Sequence, residues 1–153
     1  MSCKHCNIDE SKVLYKSKYW TLSFHKQDYL GRCILSTNRH LDKFSCLTDD
    51  ETISLRNHLK ALEDMLRDLY GCTMLNWCCN MNNAYAKENP QPHVHIHIRP
   101  RYKNEVVVNG TNYKDKEFGA HYDRFAPLQF DEATTTIIYN QMKDNFSKYY
   151  SED

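Results

Sequence analysis

His93, His95 and His97 occupy every second position of the segment Pro92-His93-Val94-His95-Ile96-His97-Ile98-Arg99-Pro100. A neutral imidazole attacks phosphorus readily and leaves easily from the phosphohistidine it forms, so one such ring can divide a displacement into two steps. Its neighbours can fix its tautomer, donate to phosphoryl oxygens and assist a leaving group. Nearby cationic or metal-bound groups disfavour a positive charge on the central ring and so keep it nucleophilic. On an extended chain, alternate side chains share one face at a spacing of about 6.5–7 Å. Three imidazoles would then look into one site while Val94, Ile96 and Ile98 enter the core. Prolines at 92 and 100 are expected to bound the strand and argue against a helix, in which i, i+2 and i+4 do not share a face. A metallohydrolase pattern, His-x-His-x-Asp-His, is the nearest rival, but Ile98 stands where it needs a ligand.

A second constellation lies at the N-terminus. Cys3-x-x-Cys6 has the spacing that lets two thiolates meet one metal, although such a pair can also be two free thiols. Zinc requires four ligands, and His40 and His93 are the candidates for the other two. Two thiolates and two neutral imidazoles would close a tetrahedron, as in structural sites. His5, inside the knuckle, is set aside because neighbouring side chains diverge. The remaining five cysteines fit small buried hydrophobes.

Positioning these groups requires a sheet. Trp20, Leu22 and Phe24 alternate with Thr21 and Ser23 and predict a half-buried strand, with Trp20 and Leu22 in the core. Gly31 opens a second strand over 32–36, and residues 27–30 make the hairpin. Thr48 and Glu51 form a capping box before Leu55, Leu59, Leu62, Leu66 and Leu69, whose spacing puts them on one helical face; Gly71 is the stop. His58 is expected on the solvated side of that helix. A strand over 73–79 follows, with Trp77 packed in the sheet, then a loop rich in Asn and Pro over 80–92 and the histidine strand over 93–98. Asn109-Gly110 between two short β segments signals a type I′ hairpin. Asp131 would cap a last helix reaching about residue 149, with Ile138, Met142 and Phe146 inward. The fold class is therefore α+β: one domain over residues 1–153, with an antiparallel sheet of about five strands, one long central helix and a C-terminal helix.

Composition excludes other classes. Lys plus Arg equals Asp plus Glu, 20 against 20, so no global field attracts duplex nucleic acid, and phosphate recognition must be local. No apolar run reaches membrane-spanning length. Seven cysteines, an odd count without a secretory signal, point to a reducing compartment, the cytoplasm by default.

The segment His93-Val94-His95-Ile96-His97-Ile98-Arg99 resembles the defining motif of the histidine-triad family. Further likeness lies in Ile34-Leu35-Ser36-Thr37-Asn38-Arg39-His40 before a capped helix, in Asn82-Asn83-Ala84, and in Pro90-Gln91-Pro92 and Pro100-Arg101-Tyr102 around the triad. These resemble a microbial branch related to diadenosine-tetraphosphate hydrolases, over roughly residues 3 to 102. The resemblance implies a histidine-triad fold with His95 as the nucleophile, assisted by His97 and His93. Histidine rather than glutamine at 97 implies hydrolysis rather than transfer to a sugar phosphate. It further implies a nucleotide substrate, an adenine nucleotide, with Asn82 or Asn80 on the phosphate and Phe24 near base and ribose. Arg99 and Arg101 are attractive charge partners, Arg101 as a further substrate contact and Arg99 only if the strand runs on to it; a salt bridge or solvent position is open for Arg99. Zinc-bearing branches imply Cys3, Cys6, His40 and His93 as ligands of a structural ion not needed for chemistry. A homodimer is implied too. The rival readings are a non-catalytic nucleotide-binding module and a metallohydrolase using the triad as ligands. His121 is expected to be structural.

Overall fold

A computed structural model describes residues 3–152. The strands are β1 (Val13–Lys16), β2 (Trp20–Phe24), β3 (Cys33–Thr37), β4 (Met74–Cys78), β5 (His95–Arg101), β6 (Val106–Val108) and β7 (Thr111–Tyr113). The α-helices are α1 (Asp49–Tyr70), the single turn α2 (Asn82–Tyr85) and α3 (Glu132–Phe146). The five-stranded sheet runs β1-β2-β3-β5-β4, antiparallel throughout, and β6 and β7 form a separate hairpin. This is the expected α+β fold.

The histidine strand thus sits between β3 and β4, held on both edges. Val94, Ile96 and Ile98 are fully buried on one face with Trp20, Leu22 and Leu35. That face is covered by α1 and α3, through Leu55, Leu62, Met65 and Leu66 from the first and Ile138, Met142 and Phe146 from the second. Helix α1 begins at the predicted capping box, the Glu51 N–H donating to Thr48 and the Thr48 N–H to the Glu51 carboxylate. It ends at Gly71 (φ 72°). The type I′ turn is present, with positive φ at Asn109 and Gly110. Asp131 caps α3, which stops at Phe146, a turn short of the expected end.

Three expectations are corrected. His58 is buried, not solvated: it lies three residues after Leu55 and four before Leu62, inside the apolar stripe of α1. Its Nδ1–H donates to the Ser54 carbonyl at 2.7 Å, its ring packs on Tyr150 and Phe146, and burial lowers its pKa to about 4. Trp77 is half exposed, because β4 is the sheet edge and the helices do not reach it. Finally, β5 begins at His95 and continues through Pro100 to Arg101. The Thr73 N–H donates to the Arg101 carbonyl on the β4 side, so Pro100 turns its missing donor toward β3, whose ladder has already ended at Cys33 and Ile98. Opposite Pro100 the chain needs Gly31: its φ is 80°, and a Cβ there would meet Leu66 at 2.9 Å.

Candidate active site

Alternation along β5 carries His95, His97, Arg99 and Arg101 on one face, with His93 leading in. The His95 Nδ1–H donates to the His93 carbonyl at 2.7 Å. That bond fixes the tautomer and leaves the lone pair on Nε2. His97 Nε2 lies 3.0 Å from that atom and, with His95 lacking a proton there, is the donor of the pair. Burial, then the charges of His95 and Arg99, pushes the His97 pKa down to about 3; burial also lowers His95 and His93. All three rings are therefore neutral at neutral pH, and His95 presents an unprotonated nitrogen to a cleft of about 350 Å³.

The N-terminal knuckle packs beside this row. Cys3 Sγ is 3.3 Å from His93 Nδ1, and Cys6 Sγ is 3.4 Å from His40 Nδ1 and 3.5 Å from His93 Nδ1. The four ligand atoms lie within 4.8 Å of one another. Zn–S bonds near 2.3 Å and Zn–N bonds near 2.0–2.1 Å set the S···N edges of a tetrahedron at about 3.5 Å, so the residues fit the ion. His93 is also prepared as a ligand: its Nε2–H donates to the Thr37 carbonyl at 2.8 Å, which leaves Nδ1 aimed at the thiols. His5 stays out of this cluster. Its ring stacks on His95 at 4.0 Å, and its Nδ1 lies 3.0 Å from Ser36 Oγ.

Among the other expected residues, Asn80 borders both the triad cleft and a neighbouring basic cleft, which Asn82 also lines. Phe24 ends β2 with its ring edge-on to Tyr139, partly in the core, and lines neither cleft. Arg101 is corrected from substrate contact to structural ion pair. It is fully buried, its Nε and Nη2 bind the Asp115 carboxylate at 2.7 and 3.1 Å, and its other donors meet Asn76, Ala120 and Glu117. No donor is left for a ligand. Sequence reasoning missed Arg32, Lys26, Tyr122 and Arg124, which gather around Arg99. Continued alternation past Ile98 is a signal for Arg99; nothing local signals Tyr122, which comes from the segment between β7 and α3.

No family model matches the sequence, and no curated protein matches it. Solved structures match the fold. A hypothetical histidine triad nucleotide-binding protein from Sulfolobus tokodaii superposes with a TM-score of 0.61 at 13% identity, covering 95% of this chain and 93% of that one. A Zn-bound histidine triad family protein from Mycobacterium smegmatis gives 0.59 at 14% identity, covering 96% and 97%. The Plasmodium falciparum diadenosine triphosphate hydrolase, in complex with Cyclomarin A, gives 0.57 at 20% identity, covering 94% and 82%. The chain thus has the histidine-triad fold, with His95 and His97 on β5 and His93 just before it.

Proposed function

We propose that this protein is a nucleotide hydrolase that cleaves a phosphoanhydride or phosphoramide at the α-phosphate through a nucleotidyl–His95 intermediate. The observation that carries it is the pair of bonds at His95: Nδ1–H held by the His93 carbonyl, Nε2 bare and facing His97 Nε2 at 3.0 Å. His95 Nε2 attacks phosphorus, the P–N bond forms, and the bond to the leaving atom breaks with its electron pair. The ring becomes cationic, and the His93 carbonyl strengthens its hold on Nδ1–H. His97, being neutral, steadies the leaving oxygen with its Nε2–H and does not surrender the proton. A phosphate group leaves in this way as an oxyanion; an amine needs a proton from solvent. Water then attacks phosphorus and loses its proton to solvent, while the P–N pair returns to Nε2.

In this reading Cys3, Cys6, His40 and His93 hold zinc, which supplies no chemistry but anchors the knuckle and the start of β5. Cys6→Ser is expected to cut bound zinc from about one equivalent to near zero and to lower the melting temperature, as read by metal analysis and thermal melts. His95→Ala should retain the ion, which separates a structural site from a triad-ligated one. The free cysteines fit a reducing cytoplasm, and no helix of the described residues is long and apolar enough to cross a membrane. The outer edge of β4, with Trp77 exposed, offers strand pairing to a second copy.

The experiment is rapid quenching with α-labelled diadenosine tetraphosphate and adenosine 5′-phosphoramidate, followed by mass mapping. A nucleotidyl adduct on His95 is the expected result. Turnover of either substrate without any adduct would refute the covalent route, and AMP binding with no turnover would leave a binding module.

A further inference from the structure

One cation on the triad face has no anion to hold it. Arg99 follows His97 by two residues, so its side chain stands one pleat along the same face, about 6.5–7 Å on. It is 8% exposed, its Nε is buried without a hydrogen-bond partner, and none of the ion pairs among the described residues includes it. Its support is the ring of Tyr122, 3.8 Å from the guanidinium carbon. Burying a cation this way is costly unless a ligand completes it. The contrast with Arg101, two residues further, is direct: that guanidinium is saturated by Asp115, Asn76 and two carbonyls.

Arg99 lines a cleft of about 290 Å³ together with His97, Lys26, Arg32, Tyr122 and Arg124. The carboxylate set against these cations is Asp28, already bound to Arg32 at 2.6 Å and to Lys26 at 3.2 Å. Four cations thus face one engaged carboxylate in a chain whose formal net charge is zero. A polyanion fits such a cleft; a neutral group does not. Planar guanidinium donors favour phosphate oxygens in particular.

We propose that this cleft holds a second phosphate group of the substrate, beside the one His95 attacks, with Arg99 as its principal ligand. The inference rests on the chemistry proposed at His95. The second phosphate is either the next member of a phosphoanhydride chain or an ester on the nucleotide's ribose. The two share one recognition chemistry and are separated by experiment. A phosphoramidate with a neutral amine and no ribose phosphate leaves the cleft unfilled.

The test compares wild type with Arg99→Met, which keeps the packing stem, on three substrates: diadenosine tetraphosphate, adenosine 5′-phosphoramidate, and its 3′-phosphorylated form. A charge-assisted contact of this kind is expected to change kcat/KM by about 30- to 100-fold, mostly in KM. The loss should be at least about tenfold smaller on the singly phosphorylated substrate. A selective loss on the tetraphosphate assigns the cleft to the anhydride chain; a selective loss on the 3′-phosphate assigns it to the ester. Equal losses on all three overturn the proposal. Calorimetric titration with inorganic pyrophosphate reads the site without turnover. Binding that weakens with salt and vanishes in Arg99→Met supports the cleft even where no substrate is hydrolysed, in which case the hydrolase reading alone fails. Pyrophosphate binding equal in the two proteins also overturns it.

Discussion

His95→Ala is expected to lower kcat/KM for every hydrolysed nucleotide by at least about 10⁴-fold while the domain stays folded. Removing the ring removes the attacking nitrogen itself, and no neighbour replaces it. His97 holds its proton on Nε2, the atom facing the site, and His93 turns Nδ1 toward the thiols. The structural cost is small. Two hydrogen bonds, to the His93 carbonyl and from the His97 Nε2–H, and one stack on His5 are lost, about 1 kcal/mol for each bond, so the domain should stay folded and its zinc content should move little. Residual activity within tenfold of wild type would remove His95 from the mechanism. The pH profile adds a second reading. With His97 held down to about 3 and burial lowering the His95 nucleophile as well, any acid limb in kcat/KM should fall below the ordinary histidine range. An acid limb near the ordinary histidine value of about 6.5 would contradict that burial.

The parts of this site that were legible from sequence are those whose signal is periodic and local. Val94, Ile96 and Ile98 enter the core because two-residue alternation has only one way to bury them in a sheet covered on that face. Thr48, Glu51 and Gly71 mark the ends of α1 because orphan backbone groups need partners within a few residues. What was illegible depended on partners distant in the chain. Strand β1, Val13-Leu14-Tyr15-Lys16, is too short to show alternation and is defined by its pairing with β2. His58 looked external by polarity although its spacing placed it in the buried stripe, and the spacing prevailed because one carbonyl satisfies its Nδ1. Pro100 looked like a terminator because its missing N–H matters only if a neighbouring strand needs it, and β3 has ended there. That single misjudged residue hid the continuation of the strand to Arg101 and left the place of Arg99 on the triad face open.

Asp115→Ala is expected to destabilise the domain by about 3–5 kcal/mol, the range for stranding one member of a buried ion pair. Both side chains are fully buried, and the carboxylate takes two guanidinium bonds and the Tyr102 N–H. Without it Arg101 keeps only neutral acceptors, the Asn76 amide and the Glu117 and Ala120 carbonyls, too weak to replace solvent around a buried charge. Asp115→Asn retains the shape and should lose about half as much, and urea denaturation with unchanged m-value distinguishes the two. A loss below about 1 kcal/mol in Asp115→Ala would mean that the guanidinium finds water or another anion. The pair also reaches the site. Arg101 grips the backbone of the segment that carries Tyr122, and Tyr29 fixes the same segment through the Asp123 N–H at 2.7 Å. Loosening that segment withdraws the ring on which Arg99 rests. In Asp115→Ala the KM for a doubly phosphorylated substrate should therefore rise in parallel with the fall in stability, even though Asp115 lines neither cleft.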